Sequence, residues 1–175
     1  MPSIDFLMQK QEHTDWCWAA VTSSVDHYFN PKSPWCQCKL ASRMAQAEKL
    51  KVRSCGNCKS RKPTTPEVCN QPWYLQKALK IVRHLKGKPL PGPLSFSKIR
   101  KTIEAGKPVC VMVLWGKGPE AHFVVITGCV KGANGERWVD VEDPDMGSST
   151  WLYDEFRSNY QYYKGRWSFT FKVRK

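Results

Sequence analysis

A glutamine and a cysteine stand six residues apart at the start of an apolar helical pattern, and this pair constrains the chain more than any other feature. The segment reads Gln11-Glu-His-Thr-Asp-Trp-Cys17-Trp-Ala-Ala. From the cysteine onward, apolar residues recur every three or four positions until Pro31 ends the pattern. The spacing predicts a helix over Cys17–Phe29 with the cysteine in its first turn.

A thiol in that position has a defined chemistry. The unpaired N–H groups and the positive end of the helix dipole favour thiolate over thiol. The side-chain N–H of Gln11 can return to the same spot, where an oxyanion forms during acyl transfer. Cys17 is therefore predicted as a nucleophile and Gln11 as the oxyanion donor, and a histidine and an acid are required downstream.

The second half of the chain changes its apolar period from helical spacing to strand patterns. The first half predicts helices over Cys17–Phe29, Leu40–Leu50, Tyr74–His84 and Ser97–Glu104, with a polar loop over Lys51–Pro72. The second half predicts strands over Val109–Trp115, His122–Cys129, Arg137–Asp143 and Arg166–Val173, with a short helical turn within Trp151–Tyr160. Helices first and antiparallel strands second predict an α+β fold with two segregated halves. The Gly/Pro linker at Lys86–Pro93 is the expected boundary between them.

His122 is the predicted general base among the four histidines. It follows a Gly-rich loop and leads directly into an apolar strand, so its imidazole is held at the rim of a core while facing a cleft. A strand-edge histidine with no role is the alternative interpretation.

Asp143, at the end of the next predicted strand, is the acid candidate, and Asp145 is the runner-up. A reversal at Asn134-Gly135 would place Asp143 opposite Ile126, and one at Gly132-Ala133 would place it opposite His122. Both registers leave the two side chains on one sheet face, because strand side chains alternate with period two. A carboxylate there would orient the imidazole and stabilise imidazolium.

At this point the chain resembles papain-like cysteine peptidases (clan CA) and, within them, the bacterial avirulence-effector proteases delivered into other cells. The likeness extends from Gln11 to about Phe171 and rests on Trp16-Cys17-Trp18-Ala19-Ala20-Val21, Gln37-Cys38-Lys-Leu-Ala41, Cys69-Asn70-Gln71-Pro72, Gly106-Lys-Pro108-Val109, His122-Phe123-Val124-Val125-Ile126-Thr127-Gly128 and Asp143-Pro144. The chain departs from the pattern by a basic middle section and an additional Cys36.

The resemblance implies one papain-like domain over residues 1–175. A helical lobe over about 1–92 and a sheet-rich lobe over about 93–175 would enclose the active site in the cleft between them. It implies an endopeptidase with Cys17 as nucleophile, His122 as base and then acid, Asp143 as orienting group and Gln11 as oxyanion donor. Trp18 and Trp115 are weaker candidates for walls of the substrate cleft.

Five cysteines cluster in the polar middle of the chain: Cys36, Cys38, Cys55, Cys58 and Cys69. Their spacing suits a structural zinc site with four thiolates, or two disulfides with one thiol left over in an oxidising compartment. Reduced thiols are the third alternative. No other cofactor is expected, and Cys110 and Cys129 are predicted as buried thiols on strands.

Charge and hydropathy bear on partners and location. Lys plus Arg number 28 against 15 Asp plus Glu, for a net charge of +13, which favours acidic partners. The sequence contains no run of 18 apolar residues, so no membrane span is predicted. The first residues lack the pattern of a Sec signal peptide. We expect a bacterial effector or toxin that leaves through a specialised secretion system, cleaves a protein in a target cell and is restrained in its producer by an immunity-type inhibitor, which the charge suggests is acidic.

Two alternatives stay open. The same triad could serve a transglutaminase or deamidase, since it supports any acyl transfer. A basic nucleic-acid-binding module with a coincidental triad is the alternative from another class. It is disfavoured, because no recognition helix, aromatic RNA-binding motif or zinc finger with histidine ligands is present.

Overall fold

The computed structural model describes residues 2–57, 65–116, 120–161 and 164–175. Its helices are α1 (Cys17–Phe29), α2 (Gln37–Ala47), α3 (Leu75–Ile81), α4 (Phe96–Glu104) and α5 (Tyr153–Ser158), with a 3₁₀ turn at Glu67–Cys69. Its strands are β1 (Leu90–Pro91), β2 (Val109–Leu114), β3 (Ala121–Lys131), β4 (Arg137–Asp143), β5 (Gly147–Leu152) and β6 (Arg166–Lys172). The strands form one antiparallel sheet in the order β1-β6-β2-β3-β4-β5.

Both faces of the sheet are covered by helices, which gives the protein two hydrophobic cores. On one face α1 contacts β3 and is itself packed by α2 and α3, with Phe123 and Phe171 from the sheet in the same apolar cluster. On the other face α4 lies on β2 and β3 while α5 lies on β6, around Ile99, Ile126 and Phe156. The predicted α+β, papain-like fold is confirmed.

The elements with a strong apolar period lie where the sequence placed them. Helix α1 and strand β4 have the predicted bounds, and the other predicted elements are shifted at their ends by up to three residues. Strand β5 was not predicted, because Gly-Ser-Ser-Thr has no apolar alternation and the strand forms by pairing with β4. The predicted linker also contains strand structure, since Leu90 pairs with Thr170 of β6.

The pairing of β3 with β4 corrects both predicted registers. Val125 pairs with Glu142, while beyond a register shift Gly128 pairs with Asp140. The irregularity lies where the N-terminal segment also joins β3, through an isolated bridge from Ser3 to Gly128. Continued from the Val125–Glu142 pair, the strand places Asp143 opposite Val124. That residue and His122 project to the same side of the sheet, so Asp143 and His122 do share a face.

The cysteine cluster contains a disulfide between Cys55 and Cys69, and Cys36 is also disulfide-bonded. Cys38 is a buried thiol that donates to Glu12 Oε2 at 3.2 Å. Burial and then this bond raise the pKa of Cys38 to about 12. Cys58 lies outside the described residues. The zinc alternative remains a prediction; within the described ranges no group of three or more His, Cys, Asp and Glu side chains is arranged to hold a metal.

Among the described residues, no helix combines the length and apolar character needed to cross a membrane.

Gly165 permits a close approach between β6 and the end of β2. A Cβ at this position would lie 2.4 Å from Val113 Cγ1 and 2.5 Å from Trp115 Cζ3. Because both groups are rigid, we expect Gly165→Ala to lower the free energy of unfolding by about 1–3 kcal/mol, measured by urea denaturation. Gly132→Ala is the matched control, since its Cβ would meet only the flexible end of Glu136. An equal loss in the two variants would contradict the prediction.

Candidate active site

Cys17 is the first residue of α1, and it is 6% exposed. Trp16 occupies the N-cap position, and no side chain caps the helix. The positive end of the helix is therefore not neutralised by a capping oxygen at the point where the sulfur lies. This placement agrees with the predicted site of a nucleophilic thiol.

His122 links the thiol to a carboxylate. Its Nε2 lies 2.8 Å from Asp143 Oδ1, and the imidazole interacts electrostatically with the Cys17 thiol. Because Nε2 is engaged by Asp143, Nδ1 is the ring nitrogen left for the sulfur. The structure thus brings the side chains of Cys17, His122 and Asp143 together, from the start of α1, the start of β3 and the end of β4, and His122 and Asp143 are joined by a hydrogen bond.

Asp143 is 2% exposed, and both of its carboxylate oxygens accept hydrogen bonds. Oδ1 accepts from His122 and from the backbone N–H groups of Asp145 at 2.8 Å and Met146 at 3.1 Å. Oδ2 accepts from the Tyr160 hydroxyl at 2.9 Å. Asp145, the runner-up acid, thus contributes its backbone to the site, while its side chain is exposed.

The electrostatics favour an imidazolium–carboxylate pair. Burial by itself would lower the pKa of His122, but the hydrogen bond to the Asp143 carboxylate, its negative charge and the interaction with Cys17 outweigh burial and raise the pKa to about 10. Burial by itself would raise the pKa of Asp143, but His122 and the two backbone N–H groups outweigh it and lower that pKa. Asp143 is therefore held ionised beside a proton on the ring.

Gln11 is anchored beside this site through its backbone, whose N–H donates to the carbonyl of Pro144 at 2.8 Å. Its Nε2 donates one hydrogen to the carbonyl of Thr14 at 2.8 Å, which leaves the second hydrogen for another acceptor. The residue also borders an open cleft of about 360 Å³, lined by Gln11, Glu12, His13, Thr14, Asn70 and Asp145. Its role as oxyanion donor stays a prediction.

Residues 3–170 match the Peptidase_C39 like family, and this match spans nearly the whole chain of 175 residues. The chain belongs to this family. Membership makes it a relative of papain-like cysteine peptidases, in agreement with the α+β fold; the avirulence-effector type stays a prediction. No curated protein matches the chain.

The prediction that Trp18 forms a wall of the substrate cleft is wrong for this Peptidase_C39-like chain. Trp18 is fully buried, so it cannot form a wall of a substrate cleft. Its Nε1 donates to the carbonyl of Gln71 at 3.0 Å, and its ring packs edge-on against Trp73 at 5.4 Å. The second position of α1 faces the helical core, because α1 is enclosed there by neighbouring segments.

Trp115 does lie beside the candidate triad. Its ring is nearly parallel to His122, with centroids 6.2 Å apart, and to Tyr160, with centroids 6.1 Å apart. Contact with substrate stays a prediction for this residue.

The other three histidines form hydrogen bonds with groups outside the candidate triad. His84 forms a second buried pair with Asp26 at 3.0 Å. Because Asp26 lies nine residues after Cys17 on α1, this pair is about 14 Å away along the helix axis and cannot serve the thiol. His13 is bonded to Thr65, and His27 to the carbonyl of Ser23.

Sequence reasoning missed Tyr160, whose hydroxyl completes the set of donors around Asp143. No local motif marks it, since it lies 17 residues beyond Asp143 and reaches the carboxylate only in the folded chain. The sequence shows it only as an aromatic residue four positions after Phe156, a pattern typical of core residues.

The raised pKa of His122 predicts the pH range of the ion pair. We expect the imidazole to titrate near pH 10 in ¹⁵N NMR spectra, and Asp143→Asn to move the midpoint down because the paired charge is removed. The pKa of His122 in the folded protein lies above the ordinary value of 6.5. The stabilisation of the fold by this pair is therefore fully present below pH 6.5 and is lost as the pH rises through about 10. A wild-type midpoint near 6.5 would contradict this geometry.

Proposed function

We propose that this protein is a cysteine endopeptidase that acts through Cys17, His122 and Asp143. The observation that carries the proposal is a thiol at an uncapped helix start that interacts with a largely buried imidazole, which is itself hydrogen-bonded to a fully bonded carboxylate. A nucleophile, a base and an orienting acid in this order are the parts that acyl transfer to sulfur requires. Family membership supports the same reaction class.

In the first half of the reaction, the Cys17 thiolate attacks the carbonyl carbon of the scissile peptide bond. The carbonyl oxygen becomes an oxyanion, which the free Nε2 hydrogen of Gln11 and the backbone N–H of Cys17 stabilise. His122 gives its Nδ1 proton to the departing amine as the C–N bond breaks. A thioester on Cys17 and a free amine remain.

In the second half, His122 takes a proton from a water molecule that attacks the thioester carbonyl. The C–S bond breaks, the carboxylic product leaves and the thiolate–imidazolium pair is restored. Asp143 keeps Nε2 protonated in both halves, so that Nδ1 alone exchanges protons with substrate and water.

We further propose that the enzyme acts as a delivered bacterial effector or toxin, secreted by a specialised system, on a protein of a target cell. An acidic inhibitor would restrain it in the producing cell. The charge distribution supports an acidic partner: residues 68–103 hold eight Lys and Arg, residues 156–175 hold six, and neither segment contains Asp or Glu. The two segments adjoin in space through the pairs Leu90–Thr170 and Leu85–Val173. Salt-sensitive binding of a purified acidic partner from the producer would test this, and complex formation unaffected by salt would contradict it.

The nucleophile can be tested without a known substrate. We expect iodoacetamide, or an epoxide such as E-64, to label Cys17 selectively at neutral pH, as mapped by peptide mass spectrometry. Burial raises the pKa of Cys110 to about 12 and that of Cys38 similarly, so these thiols should stay unlabelled in the folded protein. Labelling spread evenly over the thiols would count against a dedicated nucleophile.

The reaction is tested in a target-cell lysate by a proteome-wide search for new N-termini. Cys17→Ala and His122→Ala should each lower their formation by at least about 10³-fold, and Asp143→Ala by less, because an orienting acid can be lost with residual activity. Cys110→Ala, a buried thiol outside the site, is the control. Amine incorporation or deamidation without new N-termini would instead indicate the acyltransferase alternative.

A further inference from the structure

The two oxygens of the Asp143 carboxylate have different hydrogen-bond donors, and Tyr160 is the donor to Oδ2. The hydroxyl donates to Oδ2 at 2.9 Å, whereas His122 and the two backbone N–H groups are bonded to Oδ1. Among the hydrogen bonds of the described residues, the tyrosine is thus the one donor that holds the second oxygen. Without it, a buried carboxylate oxygen would lack a partner and the terminal torsion of the aspartate would lose its restraint.

The tyrosine itself is held rigidly. It is fully buried, and its ring packs edge-on against Phe156 at 5.0 Å and Trp151 at 5.2 Å, and nearly parallel to Trp115. Its backbone exchanges two hydrogen bonds with Gly165, at 2.9 and 2.8 Å. The hydroxyl therefore occupies a fixed point and cannot follow the carboxylate if the carboxylate turns.

These contacts join the candidate triad to the second hydrophobic core. Phe156 belongs to α5, and Gly165 immediately precedes β6, so Tyr160 connects the packing of the far sheet face to the orientation of Asp143. Trp115 contacts both Tyr160 and His122 through nearly parallel rings, which limits lateral movement of the imidazole from the same side.

We propose that Tyr160 is a positioning residue of this peptidase: its hydroxyl fixes the plane of the Asp143 carboxylate so that Oδ1 stays aligned with His122 Nε2. The inference rests on the proposed function, since it concerns the same site. Tyr160 touches neither the reacting sulfur nor the substrate carbonyl in this role; it acts through Asp143. Nothing in the local sequence assigns it.

The decisive variant is Tyr160→Phe, which removes the hydroxyl and keeps the ring. We expect the NMR titration midpoint of His122 to fall, because a freed carboxylate no longer holds Nε2 in line. Alkylation of Cys17 by iodoacetamide at neutral pH should slow about three- to tenfold, the factor to which the free energy of one hydrogen bond converts. A wild-type midpoint together with a wild-type alkylation rate would overturn the proposal.

Tyr153→Phe is the matched control. Tyr153 is also buried, and its hydroxyl also donates one hydrogen bond, at 2.7 Å to the carbonyl of Leu94, away from the triad. It should lower the urea midpoint to a similar degree as Tyr160→Phe while leaving the His122 titration and the alkylation rate at wild-type values. If both variants changed these two readouts equally, the effect would be structural and the positioning role would be wrong.

A second measurement covers the case in which Tyr160→Phe does not fold. Incorporation of 3-fluorotyrosine keeps the ring and hydroxyl but makes the hydroxyl a stronger donor. It should raise the His122 midpoint when placed at position 160, because a stronger bond to Oδ2 holds Oδ1 more firmly in line with Nε2, and leave it unchanged at position 153. An unchanged or lowered midpoint at position 160 would overturn the inference. Failure of the proposed function is recognised separately, since wild-type Cys17 would then show no selective labelling.

Discussion

The buried charge of Asp143 is the constraint on which the rest of the site depends. A carboxylate that is 2% exposed is stable only if its oxygens are bonded and a cation lies nearby. The structure meets this need with donors from three separate parts of the chain: the start of β3, the turn after β4 and the segment after α5. Each donor is itself packed, so the carboxylate has one orientation. This fixed carboxylate holds the His122 imidazole in place through a hydrogen bond and contributes to its raised pKa.

The thiol reaches this carboxylate and imidazole through the packing of α1 on β3. Helix α1 is enclosed by α2 and α3 on its outer side and by the sheet on its inner side, which fixes where its first turn lies. Gln11 is attached to the opposite half through the carbonyl of Pro144, directly after Asp143. Contacts between the helical part of the chain and the sheet therefore position Cys17, His122 and Gln11 relative to one another.

The most strongly patterned features were the most predictable. The bounds of α1 and β4 follow from apolar period and breaker residues, which are local properties. The pairing of Cys17 with His122 and Asp143 was also accessible, because each residue stands at the end of a well-marked element. The register of β3 against β4 could not be predicted, because the sequence allowed a reversal at Gly132-Ala133 or at Asn134-Gly135. The structure has a third register, with an irregularity between Ile126 and Gly128. Strand β5 escaped prediction because it depends on its partner β4 more than on its own residues.

The sequence by itself determined which chemical groups the chain carries and which elements present them: a thiol at a helix start, an imidazole at a strand start and a carboxylate at a strand end. These are local matters of capping, period and residue type. Only the tertiary structure decided that Trp18 faces the core, that Asp145 contributes its backbone and that the Tyr160 hydroxyl supports Asp143. The physical reason is that burial and hydrogen-bond partnership depend on segments distant in the chain, and no local pattern records which of them will meet.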